Sequence, residues 1–396
     1  KVMTLEAQTI ARACGSENIF LVECVFRSVI LIACLGYLTM MFIFFLLAES
    51  FFTYFKVNKE VAISALSYGN FLLGGIFLIW LFNIIIAVTR GSGNTLIPAY
   101  SWSIVLFVHI IVASMNFNFE NGTIVLINNV NFFDKFFIFS SIQWSVVSLL
   151  SGYFIGILFV LVFYYFGNHS FSFTLRDIFK LNGIVKLLKS GSLASCQSLM
   201  TIALALFCTT VISIFGTNWT AGFGIAIRLE LLLIPIIFGI GGALIAIVGA
   251  NVGAKKFSRA ISMTWKGTFF SVCIVGFIGL FFSVYPDLWS SFFTDNAEIK
   301  EKSKLYLKVV APFYAFFALG LGLYFTCQAF NTLFWPVIGT FIRMVFVISV
   351  IMLLFNFNLG SPYLIFITMS SGLIIYGLFI SLSLQFGPWK KYYKFN

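Results

Sequence analysis

Arg228 and Glu230 stand two residues apart in an otherwise apolar stretch of this sequence. An ionisable side chain inside a membrane-length apolar run is expensive, so it is a functional candidate by default. Positions two apart on a helix do not face each other, so Arg228 is not the partner of Glu230. Glu230 needs another one: a proton, a cationic ligand, or a structural hydrogen-bond or ion-pair network near the outer helix end. Burial would disfavour its charged form and let this carboxyl bind and release protons. His109 is the one histidine in an apolar stretch, and it is the second candidate for cation coupling. Its imidazole suits proton transfer, and a neutral, hydrogen-bonded core histidine is the alternative. Arg343 is the remaining ionisable group of this kind, with helix carbonyls or a carboxylate as its expected partners. Together with Gln197, Asn83, Trp80 and Tyr324 it could line a substrate cavity with polar and aromatic surface. Helix–helix contacts explain these side chains equally well.

Other chemistries find little support. Two histidines, few acids in apolar stretches and no metal-ligand spacing argue against a membrane enzyme or a metal site. The seven cysteines form no CxxC pair and read as small core residues. No phosphate-binding glycine loop followed by Lys-Ser or Lys-Thr is present, which argues against ATP-driven transport and any bound cofactor.

The elements that carry these residues follow from composition. Of 396 residues, 61% are hydrophobic and 9% charged, against about 25% charged in a soluble protein. The apolar segments are apolar on every face, so the expected fold is an all-α polytopic membrane protein. A span needs about 20 apolar residues. Ten are expected, at 24–48, 64–88, 96–115, 137–165, 190–214, 221–248, 262–284, 305–328, 334–355 and 362–386. The loops between them alternate in charge. One side is rich in basic residues, among them Arg12, Arg90, Lys186, Lys255, Arg259 and Lys390, and the other carries Glu60, Glu120, Asp287 and Glu298. The net charge of +11 thus reads as the positive-inside pattern and not as a nucleic-acid patch. It places the basic side and both chain ends in the cytoplasm, with the protein a multi-pass component of a bacterial inner membrane. A monomer in the bilayer is expected.

The chain also repeats itself. Pro98 and Pro336 are 238 residues apart (336 − 98), and at the same offset Gly15 falls on Gly253, Asn58 on Asn296, Tyr68 on Tyr306 and Phe117-Asn-Phe on Phe355-Asn-Phe. Six spans separate each residue from its repeat, so the copies are parallel and related by an axis along the membrane normal. This divides the chain into an N-terminal lobe at 1–165, an amphipathic cytoplasmic linker at 166–189, a six-helix lobe at 190–386 and a basic tail at 387–396. Subtracting the offset puts residue 1 opposite Gly239 (1 + 238), inside a span. The first copy is therefore expected to lack one helix and most of a second, ten spans being present of twelve. Within the outer loop 116–134, Phe117 and Phe119 alternate with polar residues before Asn121-Gly122, which suggests a β-hairpin, an irregular loop being the alternative.

Two motifs carry a resemblance. The stretch Ala221-Gly-Phe-Gly-Ile-Ala-Ile-Arg228-Leu-Glu230, then Pro235, Gly239 and Gly249-Ala-Asn-Val-Gly253, is similar to the most recognisable segment of the multidrug and toxic compound extrusion (MATE) family. Arg90-Gly91-Ser-Gly93-Asn-Thr-Leu-Ile-Pro98 resembles the family's Gly-x-Gly-Asn/Asp-Thr-x-x-Pro loop, and Asn331 to Pro336 occupies the counterpart place. Physically, glycines permit a tight turn after a span, and a proline starts a helix where its missing N–H costs nothing. The reading for Gly91, Gly93, Pro98 and Gly253 is structural. The resemblance implies two six-helix lobes and export of organic, often cationic, small molecules in exchange for H⁺ or Na⁺ through a cavity that opens alternately to either side. It also implies coupling groups that this sequence has changed: the family's glutamate ten residues after Gly191 is Thr201, and its Asn and Asp after Pro98 are His109 and Ala113. A flippase for a lipid-linked saccharide or other amphiphile, or a nonfunctional truncated remnant, are the alternatives.

Overall fold

A computed structural model of the chain describes residues 2–16, 19–54, 59–115, 117–120, 123–126, 129–132, 137–166, 184–387 and 389–390. Among these residues the helices run α1 (Val2–Gly15), α2 (Ile19–Tyr54), α3 (Lys59–Gly91), α4 (Leu96–Ser114), α5 (Ser141–Phe166), α6 (Ile184–Ser213), α7 (Thr217–Gly253), α8 (Phe257–Val284), α9 (Pro286–Ser290), α10 (Ala297–Val310), α11 (Tyr314–Phe330), α12 (Phe334–Asn356) and α13 (Pro362–Phe386). A 3₁₀ turn at Ala311–Phe313 joins α10 to α11, so that Ala297–Phe330 acts as one span. Ten helical stretches are long and apolar enough to cross a membrane, and the ten expected spans fall on them. Their outward faces are apolar: Phe45 is 86% exposed and Phe277 71%. Such surface is stable only against lipid.

One boundary is corrected. The fourth span, expected from 137, begins with α5 at Ser141, because Phe137–Ser140 forms strand β4. Before it come β1 (Phe117–Glu120), β2 (Thr123–Leu126) and β3 (Asn129–Phe132). The first two pair antiparallel with Glu120 opposite Thr123, and the last two with Phe132 opposite Phe137. The first hairpin is the one that the Phe/polar alternation suggests; the second, whose strand Asn129-Val-Asn-Phe132 alternates in the same way, is not among the expectations. The linker expected at 166–189 lies largely outside the described residues, as does most of the tail.

The chain divides into two compact units. One comprises Ile19–Ile184, with a core of Phe82, Ile85, Ile86, Ile97, Val105, Ile157 and Val160 from α3, α4 and α5. Rings of Phe82, Trp102 and Tyr153 meet edge to face above it, at 5.2 to 5.9 Å between centroids. The other unit comprises Lys1–Asn18 with Val185–Asn396. A core of it gathers Leu244, Val248, Ala260, Ile261, Leu323, Cys327, Tyr376, Ile380 and Trp389 from α7, α8, α11 and the region of α13. The first eighteen residues belong by repeat to the first copy, yet they cluster here. The reason is that α1 lies along α7 and buries Ala7, Ile10, Ala11 and Ala13.

The repeat is visible in the backbone. Gly93 ends α3 with φ +95°, and its repeat partner Asn331 (331 − 238) ends α11 with φ +57°. Glycine and asparagine are the residues that enter the left-handed region at least cost, and so close helices. After Asn331 the cap is complete: Thr332 N donates to the Cys327 carbonyl and Asn331 N to that of Gln328, both at 2.9 Å. Three residues into the following helices stand Pro98 and Pro336, where the missing amide would have had no helical partner.

Candidate transport-site residues

Glu230 projects from α7, and its partner is a tyrosine. Tyr306 of α10 donates its hydroxyl to Glu230 Oε2 at 3.1 Å. The ring of Tyr306 is fully buried, edge to face with Phe223 at 5.4 Å and with Phe366 at 5.1 Å. This packing fixes the hydroxyl and so fixes the carboxylate. Tyr314, also fully buried, brings a second hydroxyl to the same cluster. Arg228 turns away, as its spacing requires: its guanidinium lies over the Phe293 ring at 5.1 Å, on the exposed face of α7. Pro235, five residues beyond Glu230, leaves the Leu231 carbonyl without its helical donor.

A second polar centre forms around Tyr376 of α13. Gln197 of α6 donates Nε2 to the Tyr376 hydroxyl at 3.2 Å. The guanidinium of Arg343, from α12, lies over the Tyr376 ring at 5.9 Å. Gly320 of α11 presses its backbone against the same ring, one helical turn before Tyr324. Two of the expected cavity residues, Gln197 and Arg343, are thus brought to one aromatic side chain.

The other expected residues belong to the other compact unit. Trp80 packs on Gly36, where α2 and α3 meet. Asn83 donates to the Ile79 carbonyl of its own helix at 2.7 Å, so its amide is spent locally in part. Close by in sequence, Cys34, Tyr37, Leu38, Gly74, Gly75, Phe77 and Leu78 line a groove of about 480 Å³. His109 is half-buried on α4, and its Nδ1 is sealed from solvent without a hydrogen-bond partner. The hydrogen-bonded core histidine weighed for this position is therefore not what the structure shows at that nitrogen.

The motif residues are structural in the main. Arg90 closes the last turn of α3, where a cation suits the helix C-terminus. Gly91 is buried with ordinary backbone angles, whereas Gly93 has the positive φ. Gly253 meets the Arg12 carbonyl of α1, leaving no room for a side chain. Among the described residues no three His, Cys, Asp or Glu side chains gather as metal ligands do.

Sequence reasoning missed Tyr306 and Tyr376, the two residues around which the polar centres form. For Tyr306 a signal existed, since it matches Tyr68 at the repeat offset (306 − 68 = 238). For Tyr376 there was none beyond its position in a span.

The family profile named MatE matches residues 7–115 and 194–353, more than half of the chain. The chain belongs to the MatE family. A probable multidrug resistance protein NorM of Thermotoga maritima is 23% identical over 297 residues, covering 72% of this chain and 59% of that protein. Vibrio cholerae MATE transporter VcmN in its bent form superposes with a TM-score of 0.81 at 18% identity, covering 97% of this chain and 83% of that one. A MOP superfamily transporter from Pyrococcus furiosus, described as having a binding pocket of reverse polarity, gives 0.79 at 18% identity over 96% and 82%. At such identities the structures speak for the fold alone. MatE proteins are transporters and not enzymes, so the chain is a multi-pass membrane protein of a transporter family.

Proposed function

We propose that this MatE chain is a secondary antiporter. It exports organic small molecules across a bacterial inner membrane by alternating access, in exchange for H⁺ or Na⁺. The observation that carries the reading is Glu230. It is an acid in an apolar stretch, half-buried, and held by one hydroxyl from a fully buried tyrosine. Among the described residues this neutral donor bonds one carboxylate oxygen, and the other can take a proton or a cation. His109, with its sealed Nδ1, is the second coupling candidate, in the other unit. The basic-rich loops support a cytoplasmic location for that side and for both chain ends. A monomer suffices for this mechanism.

In proteoliposomes with an imposed pH or Na⁺ gradient, Glu230→Gln should abolish gradient-driven efflux of a fluorescent substrate while leaving downhill leak unchanged. Undiminished efflux by that variant would sink the assignment of Glu230. A second reading, movement of a lipid-linked saccharide or another amphiphile, is favoured by one observation, the basic Arg343 beside Tyr376.

A further inference from the structure

Among the described residues Arg343 makes no ion pair with an acid. Its Nε is sealed from solvent and makes no hydrogen bond. Its guanidinium lies over the face of the Tyr376 ring at 5.9 Å. Among the described residues, the ion pairs of the same unit lie on the Asp287–Glu301 side and involve lysines. A guanidinium without an acid beside it is costly within a 23-residue membrane span. Something must offset that cost.

The fold itself does not ask for this charge. The repeat partner of Arg343 is Val105 (343 − 238), a buried core residue of α4. Val105 packs against Gly152 and Gly156 of α5, and Arg343 packs against Gly372 of α13 and lies over Tyr376. Both pairs keep one offset (372 − 152 = 376 − 156 = 220). The same helix pair thus exists twice, once with Val over Gly and once with Arg over Tyr. Since the apolar version closes well, the Arg–Tyr version answers to a ligand.

We infer that Arg343, Tyr376 and Gln197 recognise the oxyanion of an amphiphilic ligand, a carboxylate or phosphate carried on an apolar body. This names the substrate class for the transporter reading and rests on it. It also replaces the cationic substrate that the family resemblance implies. A guanidinium offers a planar fork of donors that matches carboxylate and phosphate bidentately, and the Tyr376 face sets the plane of that fork. Gln197 is 94% buried (100 − 6) and leaves one amide atom unpartnered after bonding Tyr376. With its amide turned over, Tyr376 donates to Oε1 and Nε2 becomes a further donor to the ligand. The one acid of the adjoining polar centre, Glu230, is already held by Tyr306.

Equilibrium binding to the protein in phosphatidylcholine nanodiscs tests this without any transport step. The probes are pyrenebutyrate and pyrenebutylamine, alike in apolar body and opposite in charge, read by fluorescence against empty nanodiscs. The acid should bind at least about tenfold tighter than the amine, as a charge-assisted fork contact implies. Arg343→Gln should erase that difference without weakening the amine, and Arg343→Lys should retain part of it. Should Arg343→Gln not fold, the lysine variant still reads the loss of the fork. Displacement of the acid by phosphatidylglycerol assigns the ligand to a lipid headgroup, and its absence to a soluble organic acid. Inorganic phosphate competing as well as the acid would refute the need for an apolar body. Preference for the amine, or acid affinity untouched by Arg343→Gln, overturns the inference. Anion binding retained in a protein that fails to export would instead count against the antiporter alone.

Discussion

Gly15 and Gly253 are repeat partners, and in the folded chain each faces the other's helix at the same point. A Cβ on Gly15 would fall inside the van der Waals shell of the Ala250 carbonyl, and one on Gly253 inside that of Arg12. Ala250 and Arg12 are themselves repeat partners (250 − 238 = 12). The contact between α1 and α7 is therefore isologous, two copies of one surface meeting about a local two-fold axis. Small residues at such a crossing let two backbones approach closely, which drives helix association in lipid.

The crossing gives a paired expectation. Gly253→Val should cost about 1–3 kcal/mol by overpacking and lower the unfolding midpoint in detergent. Gly239→Ala, on the same helix with open space around it, should be neutral or stabilise by about 0.5–1 kcal/mol. Differential scanning fluorimetry of both variants checks the contrast. Equal effects would show that the crossing is not close.

Tyr306→Phe should remove the only hydroxyl, among the described residues, that Glu230 accepts from. The loss is about 0.6–2 kcal/mol, the range for hydrogen bonds between membrane helices. A double-mutant cycle with Glu230→Gln isolates the pair. Coupling near zero would mean that the 3.1 Å contact contributes nothing to stability.

At the end of α11, Asn331→Gly should leave stability unchanged or slightly raised, whereas Asn331→Val should cost about 1–2 kcal/mol, since a Cβ-branched residue is strained at φ +57°. Its partner Gly93, at φ +95°, should tolerate no side chain without a comparable loss. Thermal midpoints of the three variants decide it.

Lys304 bridges Asp287 of α9 and Glu301 of its own helix. Both carboxylates are largely exposed, so Lys304→Met should cost under about 1 kcal/mol, and the difference should shrink in high salt. A salt-independent loss would point to packing of the lysine stem instead.

Much of the architecture was legible without coordinates because lipid is a simple solvent. Apolar runs long enough to span must be helical, so composition and run length located all ten spans. Turn chemistry was legible for a similar reason: only certain residues enter the left-handed region, so Gly93 and Asn331 marked helix ends. The repeat offset, the hairpin register at 117–126 and the family motifs are likewise properties of spacing along the chain. What spacing cannot encode is which side chains converge from different helices. Glu230 asked for a partner, but the donor proved to be Tyr306, seventy-six residues away on α10. Gln197 and Arg343 were named singly, and only the packing of α6, α12 and α13 brought them to Tyr376. The Gly15–Gly253 pair shows the division most plainly. The sequence determined that the two glycines are equivalent; the fold alone decided that they touch, because helix association depends on three-dimensional shape and not on order along the chain.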